Sequence, residues 1–288
     1  MTLRSNSGEA PSSHSPPPHT TASFGTEKIG AAFEAAKVEG RAALMPYMMA
    51  GYPSRESSLA VAEAYAESAD LVELGVPFSD PLADGPTIHA AATAALAAGA
   101  NLEAALEICE GIADRVPVVF MVYSNMVLAQ GGAAEFARRA RDAGAAGAIV
   151  PDLPLEEAES VRAAFDEVGL ALVPLVAPTT PAERRARICA AARGFVYVVS
   201  TVGTTGERET IPPELAELVA ATKAEAEVPV AVGFGIGTPE QAAQVGRIAD
   251  GVIVGSRLVR AAGEAADAVG AAEAVGAFLR ETRVALGS

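Results

Sequence analysis

Val228-Pro229-Val230-Ala231-Val232-Gly233-Phe234-Gly235-Ile236-Gly237-Thr238-Pro239-Glu240-Gln241 contains one complete strand-to-helix unit. Residues 229–232 are almost wholly apolar, as in a strand covered on both faces. Glycines at 233, 235 and 237 then turn the chain, and Thr238 opens a helix with a hydroxyl cap, a first-turn proline and a Gln three residues on. Thr180-Pro181-Ala182-Glu183 repeats the same helix start. Working outward, similar apolar runs recur at 43–50, 70–75, 117–122, 146–150, 171–176, 195–199 and 250–254. The stretches between them carry helical period, as in Leu102, Ala105, Leu106, Cys109 and Ile112. Eight β-then-α units in one chain predict an α/β fold, a closed (β/α)8 TIM barrel, because an open doubly wound sheet usually has fewer strands. An extra N-terminal amphipathic helix at 27–38 is placed to plug the lower face of that barrel.

Composition narrows the function. The 288 residues are 50% hydrophobic, enough for a sizeable core, and 21 basic against 36 acidic side chains give a net charge of −15. That sign repels nucleic acid and anionic membranes, so neither is an expected partner. No run approaches the roughly eighteen apolar residues of a membrane helix. Cys109 and Cys189 are widely separated and read as reduced core thiols of a cytoplasmic protein. Residues 1–25, with six Ser and four Pro, read as a disordered N-terminal extension in which His14 and His19 are solvated. Residues 26–288 then form one catalytic domain.

In such a barrel the chemistry belongs at the C-terminal ends of the strands. Lysine occurs only at 28, 37 and 223, all in helical stretches, which removes a Schiff-base aldolase. His89 is the one histidine outside the extension, so no imidazole cluster exists for zinc. Carboxylates, hydroxyls and amides remain. The densest group of them is Glu73-Leu-Gly-Val-Pro-Phe-Ser-Asp80-Pro-Leu-Ala-Asp84-Gly-Pro-Thr. Glu73 falls inside the second strand, and no Lys or Arg lies between Arg55 and Arg115, so a compensating cation must come from a distant segment. Desolvation is expected to raise its pKa toward neutrality, where a general acid/base works. The bland alternative is a structural carboxylate bonded to backbone. Asp84 and Asp80 stand in a loop that returns over the same mouth, although either alone is an ordinary turn residue.

Two glycine-rich ends, Gly233-Phe-Gly235-Ile-Gly237 after strand seven and Gly255-Ser256 after strand eight, offer backbone amides and a helix start to a phosphate. Tight turns explain such motifs equally well. Ser200-Thr-Val-Gly-Thr-Thr-Gly206-Glu-Arg208 reads as a lid or a solvated loop. Together these features suggest a lyase or isomerase of a phosphorylated small molecule.

The run from Glu73 to Ile88 resembles the signature of the tryptophan synthase alpha subunit. Pro151-Asp152-Leu153-Pro154, Leu175-Val-Ala-Pro178-Thr179-Thr180, Tyr197-Val-Val-Ser200, Val202-Gly-Thr-Thr-Gly206, Gly233-Phe-Gly-Ile236 and Val254-Gly255-Ser256 follow in that family's order. The resemblance spans about 27 to 288 and implies retro-aldol cleavage of indole-3-glycerol phosphate to indole and glyceraldehyde 3-phosphate. It implies that Glu73 protonates indole C3 and takes the glycerol hydroxyl proton, that Asp84 bonds the indole N–H, and that Tyr197 helps place Glu73. It assigns the phosphate to Gly206, Gly235, Gly255 and Ser256, and the indole wall to Phe234, Tyr47, Met121 and Tyr123.

The resemblance further implies a pyridoxal-phosphate beta subunit as partner, two alpha with two beta chains, docked near Pro77, Asp80, Asn125 and Pro154. The cofactor belongs to that partner, and this chain is expected to bind none. Three features depart from the family: the long extension, Thr201 and Val202 in the lid, and His89 where Gln is common. Two alternatives stay open on sequence, a chain that chiefly activates its partner and a related phosphate-binding isomerase barrel.

Overall fold

The computed structural model describes residues 23–129, 131–199, 211–233 and 235–288. Its strands are β1 (Ala43–Met49), β2 (Val72–Gly75), β3 (Val118–Met121), β4 (Gly147–Ile149), β5 (Ala171–Val173), β6 (Leu175–Val176), β7 (Val196–Val199), β8 (Val230–Gly233) and β9 (Gly251–Val254). All pair in parallel in the order β5-β4-β3-β2-β1-β9-β8-β7-β6. The two ends of that order are consecutive in sequence. Pro174, which has no N–H to give a ladder, divides the run expected at 171–176 into β5, paired with β4, and β6, paired with β7. The Pro174 carbonyl still accepts the Tyr197 N–H at 3.0 Å. The barrel therefore has eight staves, the fifth in two pieces, and the strand ends lie within two residues of those expected.

Helices fill every crossover: α2 (Arg55–Ser68), α3 (Pro86–Ala97) with α4 (Leu102–Ile112), α5 (Ser124–Leu128) with α6 (Gly132–Asp142), α7 (Glu159–Val168), α8 (Ala182–Ala191), α9 (Pro213–Glu225) and α10 (Pro239–Gly246). After β9 come α11 (Ser256–Glu264) and α12 (Ala268–Leu286), and α12 lies along α2. Strand side chains alternate in direction. Leu44, Met48, Val72, Leu74, Val118, Phe120, Val230 and Val232 pack into the helix-facing core. Ala43, Met45, Leu71, Val119, Ile149, Val173, Phe195, Ala231 and Ile253 fill the barrel interior.

The N-terminal helix α1 (Phe24–Val38) joins that interior from below. Ile29, Phe33 and Ala36 are buried there, and the Phe33 ring stands 5.8 Å from that of Phe195. Gly25 donates its N–H to the Gly169 carbonyl at 2.7 Å, and a Cβ on Gly25 would stand 1.8 Å from the Ala146 carbonyl oxygen. The helix thus plugs the barrel as expected, but it begins at Phe24, so Phe24 and Gly25 belong to it rather than to the extension. Residues 1–22 of that extension lie outside the described residues.

One helix start conforms to its sequence and one does not. Thr238 and Gln241 form a complete capping box. Thr180, by contrast, is not the cap of α8: Pro181 takes that position, and the Thr180 hydroxyl instead accepts the Ala177 N–H at 3.0 Å. The hydroxyl closes the turn before the helix, an equally local use of the same side chain.

Candidate active site

Glu73 has the parity of Leu71, so it faces the barrel interior while Val72 and Leu74 face the helices. It is 2% exposed, and its Oε2 has no hydrogen-bond partner among the described residues. The distant cation expected to compensate it is not found there. Burial, helped by the nearby Asp84 charge, pushes its pKa up to about 8. Protonation replaces the missing counter-ion, so at neutral pH the group is chiefly a carboxylic acid.

Its neighbours follow from strand register. Tyr47 on β1 pairs with Glu73 on β2, and its ring lies across Gly75, where a Cβ would meet the hydroxyl at 2.1 Å. Across the mouth, the Tyr197 ring on β7 lies over Gly233 of β8 in the same way, at 2.4 Å. A bare glycine at the end of each neighbouring stave is what lets these two rings lie flat over the interior. Burial first, and then the charges of Glu73 and Asp84, raise both phenol pKa values well above the ordinary range. Each hydroxyl therefore stays protonated and available as a donor. Met121 ends β3 opposite Gly75 and is half-buried against the same interior.

Asp84 comes back over the mouth from the β2–α3 loop, half-buried. Burial raises its pKa, while a hydrogen bond with Tyr123 and the charge of His89 act against that rise. Tyr123 is 3% exposed and accepts the Ala83 N–H at 3.1 Å. Gly255 caps α11, whose first residue is Ser256, and a Cβ on Gly255 would stand 3.7 Å from that of Tyr47. Gly235 adopts a φ of +39°, in the left-handed region that glycine tolerates. The fold thus gathers Glu73, Asp84, Tyr47, Tyr123 and Tyr197, with Met121, Gly235, Gly255 and Ser256 at the same strand ends. Gly206, Phe234 and the lid at 200–208 lie outside the described residues.

With this geometry in place, the relatives of the chain decide its family. The family profile for "Tryptophan synthase alpha chain" matches residues 33–284. The chain belongs to the tryptophan synthase alpha chain family. It is 48% identical to the tryptophan synthase alpha chain of Synechococcus sp. (strain CC9902), covering 90% of this chain and 97% of that one. The Prochlorococcus marinus (strain MIT 9313) tryptophan synthase alpha chain is 47% identical, at 90% and 95% coverage. Among solved structures, Mycobacterium tuberculosis tryptophan synthase superposes with a TM-score of 0.84 at 40% identity, over 90% of this chain and 98% of that one. The Legionella pneumophila (strain Paris) tryptophan synthase alpha subunit gives 0.81 at 39%, with the same coverage.

Within this tryptophan synthase alpha barrel, two features of the site escaped the sequence reading. One is the bond from the Ala83 N–H of the Asp84 loop to the Tyr123 hydroxyl. The other is Asp152, which accepts both the N–H and the hydroxyl of Ser124, each at 2.8 Å. Asp152 stands in the Pro151–Pro154 motif, but spacing gives no sign of which loop it reaches. Among the described residues no group of three or more His, Cys, Asp and Glu is gathered where a metal could sit, and no helix is long and apolar enough to cross a membrane.

Proposed function

We propose that Glu73 is the acid and base of the reaction this family carries out. The chain is a carbon–carbon lyase of tryptophan biosynthesis that cleaves indole-3-glycerol phosphate to indole and glyceraldehyde 3-phosphate. The single observation that carries the assignment of Glu73 is its interior-facing carboxyl, whose Oε2 has no partner among the described residues and whose pKa is pushed up to about 8. Protonated Glu73 delivers its proton to indole C3, which removes the ring's aromaticity and places positive charge on the nitrogen. Asp84, ionised, accepts the indole N–H and stabilises that charge. The Glu73 carboxylate then takes the proton of the glycerol hydroxyl beside the ring. A carbonyl forms there, the carbon–carbon bond breaks, and its electron pair restores the indole. The proton given to carbon is recovered from oxygen, so the acid is regenerated.

The remaining assignments follow the same reading. Tyr197 sits within electrostatic reach of Glu73 and helps place it. Tyr47, Met121, Tyr123 and Phe234 wall the indole. Gly206, Gly235, Gly255 and Ser256 hold the phosphate, with the start of α11 adding its partial positive charge. The partner is a pyridoxal-phosphate beta subunit, in an assembly of two alpha and two beta chains, docked by the loops carrying Pro77, Asp80, Asn125 and Pro154. Two buried free cysteines, Cys109 and Cys189, suit a reducing cytoplasm as its compartment.

A chain that only activates its partner has no use for a buried acid that no cation among the described residues compensates. Glu73→Gln tests the assignment in a steady-state assay of indole release. Loss of a hundredfold or more in kcat is expected from removing a general acid/base. Activity within tenfold of wild type would sink it.

A further inference from the structure

The loop that carries Asp84 has little else to hold it. Leu82 is 89% exposed, and Ala83 and Gly85 are exposed as well. Among the described residues, the only side chain from another element to hydrogen-bond positions 81–84 is that of Tyr123. Its hydroxyl accepts the Ala83 N–H at 3.1 Å, and the same phenol works to lower the pKa of the neighbouring Asp84 carboxyl. A phenol has one proton to donate and lone pairs to accept, so while it accepts from Ala83 its proton remains free to donate to Asp84. The ring itself is fixed: Phe78 packs 4.9 Å away, and the next residue, Ser124, is held twice by Asp152.

We propose that Tyr123 is a positioning residue, whose hydroxyl holds the Asp84 carboxylate in its indole-facing place. This goes beyond a role in walling the indole, and it rests on the assignment of Asp84 to the indole N–H. An unanchored loop would have to be ordered at each turnover, and small misplacements of a reacting group carry large rate costs.

Tyr123→Phe separates the two roles, because it keeps the ring and removes only the hydroxyl. A residue that merely walls the pocket predicts unchanged kcat, KM and pH profile. A positioning role predicts a kcat roughly tenfold to a hundredfold lower, the value of one hydrogen bond to a charged group, with KM changed far less. It also predicts that the acid limb of the profile moves to higher pH. The lost donor favours the ionised form of Asp84, which must then titrate later. Asp84→Asn, measured alongside in complex with the beta subunit, distinguishes the two ways of failing. An inactive Asp84→Asn beside a fully active Tyr123→Phe with an unmoved acid limb overturns the positioning role alone. A fully active Asp84→Asn overturns the assignment of Asp84, and this inference with it.

Discussion

At the scale of single residues, Glu73 sets function against stability. An unfolded Glu loses its proton near the ordinary value of 4.5, whereas the folded chain holds this one until about 8. Between those values the folded state binds more protons, so stability falls as pH rises, and the full penalty is reached above about 8. Removing the ionisable group should relieve it. Glu73→Gln is expected to be more stable than wild type at pH 8 by up to a few kcal/mol, read as a higher melting temperature, with the gap closing toward pH 4.5. Equal melting temperatures at both ends would show that the carboxyl is not held protonated. The same titration governs catalysis: kcat/KM for the free enzyme should decline above about pH 8, as the acid that protonates C3 is lost. A profile flat to pH 9.5 would contradict this.

At the scale of elements, the strands and the start of α10 were legible because each is specified locally, by parity, period and capping chemistry. Pro174 shows the limit. Its run reads as one strand, and only the two different neighbours of β5 and β6 reveal that it is a stave in two pieces. Thr180 shows another, since its hydroxyl has two local uses and sequence does not choose between them. In the site, Glu73 was visible as an acid out of place and Asp84 only through the family resemblance, while the tie between Tyr123 and Ala83 spans 40 residues and has no signature in spacing. The seating of α1 depends on one such long-range fit. Gly25→Ala would force a methyl into the Ala146 carbonyl, and is expected to cost about 1–3 kcal/mol, or several degrees in Tm by calorimetry. An unchanged Tm would mean that the helix end is free to lift.

At the scale of the whole molecule, stability and chemistry occupy opposite ends of the barrel. Below the strands, Arg41 is 3% exposed and pairs with Asp70, which is 8% exposed. Asp70 also accepts the Leu44 N–H at 2.7 Å and a bond from Arg283 of α12 at 3.2 Å, and Arg283 reaches Glu39 as well. One carboxylate thereby ties the last helix to the starts of the first two staves. Asp70→Ala would leave the buried Arg41 guanidinium without its main partner, at a cost of about 3–5 kcal/mol. Chemical denaturation should show that loss, and kcat of the folded fraction should stay at the wild-type value. A matching fall in kcat would mean that the two ends are not independent.

The plug formed by α1 has a consequence for traffic. A vessel stoppered at its base by α1 opens at the rim, so substrate arrives and both products depart on the same side. Indole, freed there, is delivered to whichever surface covers that rim. This family pairs with a beta subunit, so on the docking proposed above the stopper at one pole decides which chain receives the product at the other.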